Sequence, residues 1–130
     1  MKITVHEAAQ RTRNEVSLDD VIDVIDDIAY ENGFNIDITT SDEIHFINRD
    51  GVLGKAELFI PTADIGFKEA SGGKLVADKS TESVLAKLSR LLVDYVSVDS
   101  KDSTLDSKYF DAVKIMAKAY DDKAKEMRKG

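Results

Sequence analysis

The chain has 130 residues, 42% hydrophobic and 33% charged, with 25 acidic against 18 basic side chains and a formal net charge of −7. One domain is expected at this length, burying roughly two-thirds of the surface that the unfolded chain exposes. The apolar fraction excludes a disordered chain and the apolar runs are too short to span a membrane; without cysteine there is no disulfide, no thiolate nucleophile and no cysteine-ligated zinc.

The N-terminus carries no leader of the basic, apolar and small-residue type, so a soluble protein of the cytoplasm is expected. The opening Ile3-Thr4-Val5-His6-Glu7-Ala8-Ala9 reads as a short helix start, in which Thr4 caps and Glu7 reaches back as in a capping box. A second helix starts at Ser17, with Asp19 and Asp20 in a first turn whose dipole favours carboxylates. From Leu18 the apolar residues Val21, Ile22, Ile25, Ile28 and Ala29 recur with a period near 3.6, and Gly33 is a natural residue to end the helix.

Period-two alternation follows. Phe34, Ile36 and Ile38 face one way and Asn35 and Asp37 the other, which predicts a half-buried strand. Ser41-Asp42 marks a turn, Ile44 and Phe46 continue the inward face, and Asp50-Gly51 is a hairpin signal. Ala56, Leu58 and Ile60 line a third strand that Pro61, the only proline, closes. Ser71-Gly72-Gly73 suggests a further hairpin joining segments around Ile65 and Phe67 and around Leu75 and Ala77.

Two helices complete the prediction. One starts near Ser80 or Thr81 and buries Val84, Leu85, Leu88, Leu91, Leu92, Tyr95 and Val96. A Ser/Asp-rich link over 97–103 then leads to a helix whose Phe110, Val113, Ala117, Tyr120, Ala124 and Met127 form a coiled-coil-like seam. The expected fold is α+β: an antiparallel sheet of three to five strands with an N-terminal amphipathic helix and a C-terminal αα-hairpin. The single domain divides into a helical acidic segment over 1–33, strands over 34–78 and a helical hairpin over 80–128.

Charge is unevenly placed along this frame. Residues 1–50 carry 12 acidic and 4 basic residues, residues 51–100 carry 7 and 6, and residues 101–130 carry 6 and 8. The negative excess therefore belongs to the N-terminal segment, which repels nucleic-acid phosphates and attracts basic surfaces. A helix-turn-helix reading of the N-terminus would place Asp19, Asp20, Asp23, Asp26 and Asp27 in a phosphate-lined groove, so DNA reading and direct nucleic-acid binding are not expected.

Other motifs favour structural roles. Asn48, Asp50, Gly51, Leu53 and Glu57 match part of an EF-hand loop, but Phe46 stands where the first ligand belongs and strand alternation runs through both ends. Ser71-Gly72-Gly73-Lys74 lacks the first glycine and the closing Ser/Thr of a P-loop and reads as a tight turn. The two histidines, His6 and His45, offer no metal-ligand spacing, and His45 is expected on the outward face of its strand opposite Lys55, Glu57 or Phe59. No metal, no cofactor and no catalysis are expected.

What remains is the acidity and the seam. The like-charged pairs Asp19/Asp23 and Asp23/Asp27 cost roughly 0.2–0.5 kcal/mol each, against which an ordinary solvated helix face is the plain alternative. Asp19, Asp23, Asp26, Asp27 and Glu31, with Asp37 and Asp42 as outer members, are the candidate contacts for a basic protein surface. The lone proline, the absence of Cys and Trp and the Asp/Lys/Ile-rich usage resemble the make-up of small accessory phage proteins, although no motif identifies a family. The leading expectation is a non-enzymatic, phage-type inhibitor of a host basic or nucleic-acid-binding protein, of the anti-CRISPR, anti-restriction or immunity kind, mimicking nucleic acid and acting in the host cytoplasm. The alternative is a structural or assembly subunit, such as a small virion component, forming a homodimer or larger oligomer through Phe110, Val113, Ala117 and Tyr120. A third expectation is a small ligand held between sheet and helices.

Overall fold

The structure is a computed structural model that describes residues 15–40, 42–48, 57–70, 72, 74–99 and 107–129. The predicted helix at Thr4 to Ala9, the Asp50-Gly51 turn and Ala56 lie outside the described residues.

Strand β1 (Val16–Ser17) runs directly into helix α1 (Leu18–Glu31). Ser17 makes that junction: its backbone is extended, and its hydroxyl accepts a hydrogen bond from the Asp20 amide at 3.3 Å. At the other end the Asn32 amide hydrogen-bonds the carbonyl of Ala29 and the Gly33 amide that of Tyr30, each at 3.1 Å. Gly33 has φ +87°, a conformation that residues with a Cβ adopt only under strain, so the chain turns there into β2 (Phe34–Thr40).

Strands β2, β3 (Glu43–Asn48) and β4 (Glu57–Pro61) form an antiparallel meander. Phe46 pairs with Ile36 on one side and Leu58 on the other, and the register slips between Asp37 and Thr40. Phe34, Ile44, Phe46, Leu58 and Ile60 are buried, as the alternation predicts. After β4 the chain makes a 3-10 turn over Thr62–Ile65. Both the amide and the hydroxyl of Thr62 donate to the Asp42 carbonyl, at 2.8 and 3.1 Å, which ties this turn to the β2–β3 connection.

The segments near Phe67 and Leu75 do pair, as β5 (Phe67–Glu69) and β6 (Leu75–Ala77). They do not extend the meander, however. β6 takes β1 as its other neighbour, giving a second three-stranded antiparallel sheet in the order β1-β6-β5. The expected single sheet is thus two small ones. Ile65 belongs to the 3-10 turn and not to a strand.

Helix α2 (Thr81–Asp99) begins after Ser80, whose carbonyl accepts from the amides of both Ser83 and Val84 at 3.1 Å. It runs through Ser97 and Val98, where a link was expected. Val84, Leu85, Leu88, Leu92 and Val96 are buried, while Leu91 and Tyr95 pack partly buried against the same core. Helix α3 (Ser107–Lys129) lies along α2 in the most extensive contact between any two elements. The buried hydroxyl of Ser89 donates to the Ala117 carbonyl at 2.6 Å, and the small side chains at both positions let the helix backbones approach. All three helices and both sheets contribute to one continuous apolar core.

Candidate functional site

Helix α1 carries the candidate site, and its own burial pattern sets the geometry. Leu18, Val21, Ile25 and Ala29 face inward at a spacing of three and four residues. Ile22, Val24 and Ile28 pack partly buried beside them, and the acidic residues are left outward: Asp19, Asp20, Asp23, Asp26, Asp27 and Glu31 are all exposed. Asp19, Asp23, Asp26 and Tyr30 follow the same three-and-four spacing and so share one side of the helix.

Tyr30, 59% exposed, ends this acidic side at the C-terminal turn of the helix. Sequence reasoning did not single it out. The signal was available, because residue 30 continues the 19, 23, 26 series that the aspartates define. An exposed aromatic ring among carboxylates offers apolar contact area at little conformational cost, as interface hot spots do.

The helix is held by its neighbour in space. Tyr120 of α3 is fully buried, and its hydroxyl donates to the Ile25 carbonyl at 2.7 Å. Burial raises the pKa of this hydroxyl well above that of an ordinary tyrosine, and the negative charge of nearby Asp26 raises it further. Among the described residues the ion pairs are Lys68–Asp78, Lys118–Asp122, Lys123–Glu126 and Lys125–Asp121, and no α1 carboxylate takes part. Three of the four run along α3 itself, so Lys118, Lys123 and Lys125 are partnered within their own helix.

The outer members are placed differently. Asp37 alternates with Phe34 and Ile36 onto the outward face of β2, opposite His45 in the register. Asp42 lies in the turn before β3, its side chain exposed and its carbonyl engaged by Thr62. The structure therefore gathers Asp19, Asp23, Asp26, Asp27 and Glu31 on one helix surface and places Asp37 on the outward face of a sheet.

His45 is the one described histidine. Its ring stacks on Phe59, the residue directly opposite on β4, with centroids 4.1 Å apart and planes 15° from parallel. Among the described residues no group of three or more His, Asp or Glu side chains is arranged to hold a metal ion, and no helix is long and apolar enough to cross a membrane.

The seam residues of α3 are occupied within the chain. Val113, Ala117 and Tyr120 are at most 1% exposed, and Phe110 packs partly buried against the core, its ring 5.6 Å from that of Tyr109. The surplus apolar seam anticipated for a second copy is consequently covered by α1 and α2. No family model, curated protein or solved structure compared with this chain matches it.

Proposed function

We propose that the chain is a non-enzymatic binding protein whose acidic α1 surface docks on a basic surface of another protein, of the kind that holds nucleic acid, and blocks it. In this reading α1 is the N-terminal amphipathic helix, and α2 with α3 form a helical hairpin that holds it rigid. Anti-CRISPR, anti-restriction and immunity proteins of phage type act in this manner, in the host cytoplasm. The observation that carries the reading is the set of exposed α1 carboxylates lying outside every ion pair among the described residues. Electrostatic attraction would speed the encounter, and Tyr30 would lengthen the residence time once docked.

The test starts with affinity capture of partners from a bacterial lysate, eluted with salt. The binding of the captured protein is then compared for the wild-type chain and Asp23→Asn/Asp26→Asn/Asp27→Asn. The triple variant should bind at least roughly tenfold more weakly and with a shallower dependence on salt, since close charge pairs across an interface carry 1.4 kcal/mol or more. Equal affinity and equal salt dependence would remove the acidic surface from the interface.

A second reading, an assembly subunit, has one specific support. Ile115 on α3 and Val93 and Val98 on α2 are large apolar side chains left 51–67% exposed on these two helices. Solution mass at tens of micromolar (a range in which weak self-association registers) separates the two. A discrete oligomer dispersed by Ile115→Lys supports the subunit, and a monomer removes it.

A further inference from the structure

Where the start of α2 meets the end of α3, a surface cavity of about 220 Å³ is lined by Lys79, Ser83, Ala86, Lys87, Arg90 and Arg128. Four of the six are cationic, two are small, and none is a carboxylate. In a chain of net charge −7 this is a pronounced local reversal. Among the described residues, none of the four cations belongs to an ion pair.

The fold builds the cavity. Ser83, Ala86, Lys87 and Arg90 are spaced by three and four residues and so stand on one side of α2, away from buried Val84, Leu85 and Leu88. Lys79 approaches from the preceding turn; its Cδ would lie 3.7 Å from a Cβ built on Gly66. Arg128 comes from the last turn of α3, where the helix dipole favours a cation.

The other three cations have no such excuse. Lys79 stands just before the N-terminal end of α2, where the partial positive charge of the helix already gathers and carboxylates are preferred. Lys87 and Arg90 are like-charged at i,i+3, an arrangement that destabilises an isolated helix. An anion in the cavity would offset both effects at once. Arginine matches phosphate oxygens with two parallel N–H donors, and Ser83 adds a hydroxyl.

We infer that this cavity binds the phosphate or diphosphate group of a small molecule. Size sets the class, because the volume is below the 300–1,000 Å³ typical of pockets that enclose a whole ligand. It takes a charged head group and leaves the remainder of the molecule outside. A long polyanion is disfavoured, since segments beyond the cavity would meet the field of a strongly acidic chain.

The test titrates pyrophosphate, inorganic phosphate and a single-stranded oligonucleotide into the full chain at constant ionic strength, following backbone amide shifts. Pyrophosphate should saturate, bind more tightly than phosphate, and move the amides of residues 80–90 and 126–129. Affinity should fall at least roughly tenfold in Arg90→Gln/Arg128→Gln and stay unchanged in Lys114→Gln, a lysine elsewhere on α3. Both arginines are exposed, so melting should be preserved; the single Arg128→Gln variant, expected to weaken binding several-fold, serves if the double variant melts early. Absence of saturation at millimolar pyrophosphate, or equal weakening in Lys114→Gln, overturns the inference. Tighter binding of the oligonucleotide than of pyrophosphate overturns it as well.

Discussion

Tyr120 is the residue on which the placement of α1 rests. Its hydroxyl reaches the Ile25 carbonyl across 95 residues of sequence, and it does so from a fully buried position. Tyr120→Phe keeps the ring and should cost about 0.5–1.5 kcal/mol near neutral pH, the net worth of one intramolecular hydrogen bond. The pH dependence separates this from simple packing. Because the folded-state pKa lies above the unfolded value near 10, the stability tied to the protonated hydroxyl is present in full below about pH 10 and is lost as pH climbs toward the folded value. Lys68 and Lys125 are raised too, each chiefly by its hydrogen bond to Asp78 or Asp121, but they titrate alike in both proteins. Denaturation followed from pH 8 to 11 (a range spanning the ordinary tyrosine pKa) should show a shallower alkaline decline for Tyr120→Phe than for wild type. Parallel declines would mean that the hydroxyl does not govern alkaline stability. The seam spacing marked Tyr120 as a core residue, but nothing in a linear pattern says which carbonyl a buried hydroxyl meets.

At the scale of single elements the local chemistry was well written in the chain. Ser17 caps α1 as its type and position predict, and Ser17→Ala should lower stability by about 1 kcal/mol, measured by chemical denaturation. The helix itself stores electrostatic strain. Asp23 has like-charged neighbours at positions 19, 26 and 27, so Asp23→Asn should stabilise the fold at low salt by about 0.2–0.5 kcal/mol per relieved pair, read as a higher melting temperature, with the gain shrinking as salt is added. Helices α1, α2 and α3 and strands β2, β3 and β4 were legible because each repeats its apolar side at its own period. The two-residue strand β1 has no period to read, and the assignment of β5 and β6 to a second sheet depends on Val16 meeting Ala77, a pairing that local pattern cannot encode. The 3-10 turn at Ile65 failed for the same reason: one apolar residue before a strand looks like part of that strand.

For the molecule as a whole the decisive fact is how its apolar surface is spent. A seam of Phe110, Val113, Ala117 and Tyr120 suggested material to spare for another copy, since sequence gives the width of an apolar stripe but not the number of elements that cover it. Helices α1 and α2 both press on it. Val113→Asp should therefore abolish cooperative folding, with a penalty above about 3 kcal/mol for a carboxylate in a site 1% exposed, and not merely dissociate an oligomer. Loss of near-ultraviolet circular dichroism together with an expanded hydrodynamic radius would show it; a folded monomer would contradict it. The exposure of the α1 carboxylates was legible from their spacing, and the same spacing places Tyr30 among them, but an aromatic residue reads first as core and was passed over.

The bond from Tyr120 to the middle of α1 has a consequence for recognition. A helix pinned at its midpoint by a distant part of the chain arrives at any surface already ordered, so contact surrenders little backbone freedom and the favourable terms are not consumed in creating structure. The proposed complex, if α1 is its docking surface, should then carry the heat-capacity signature of a rigid body meeting its target, modest and proportional to the footprint, and not the larger one of a segment that folds as it binds.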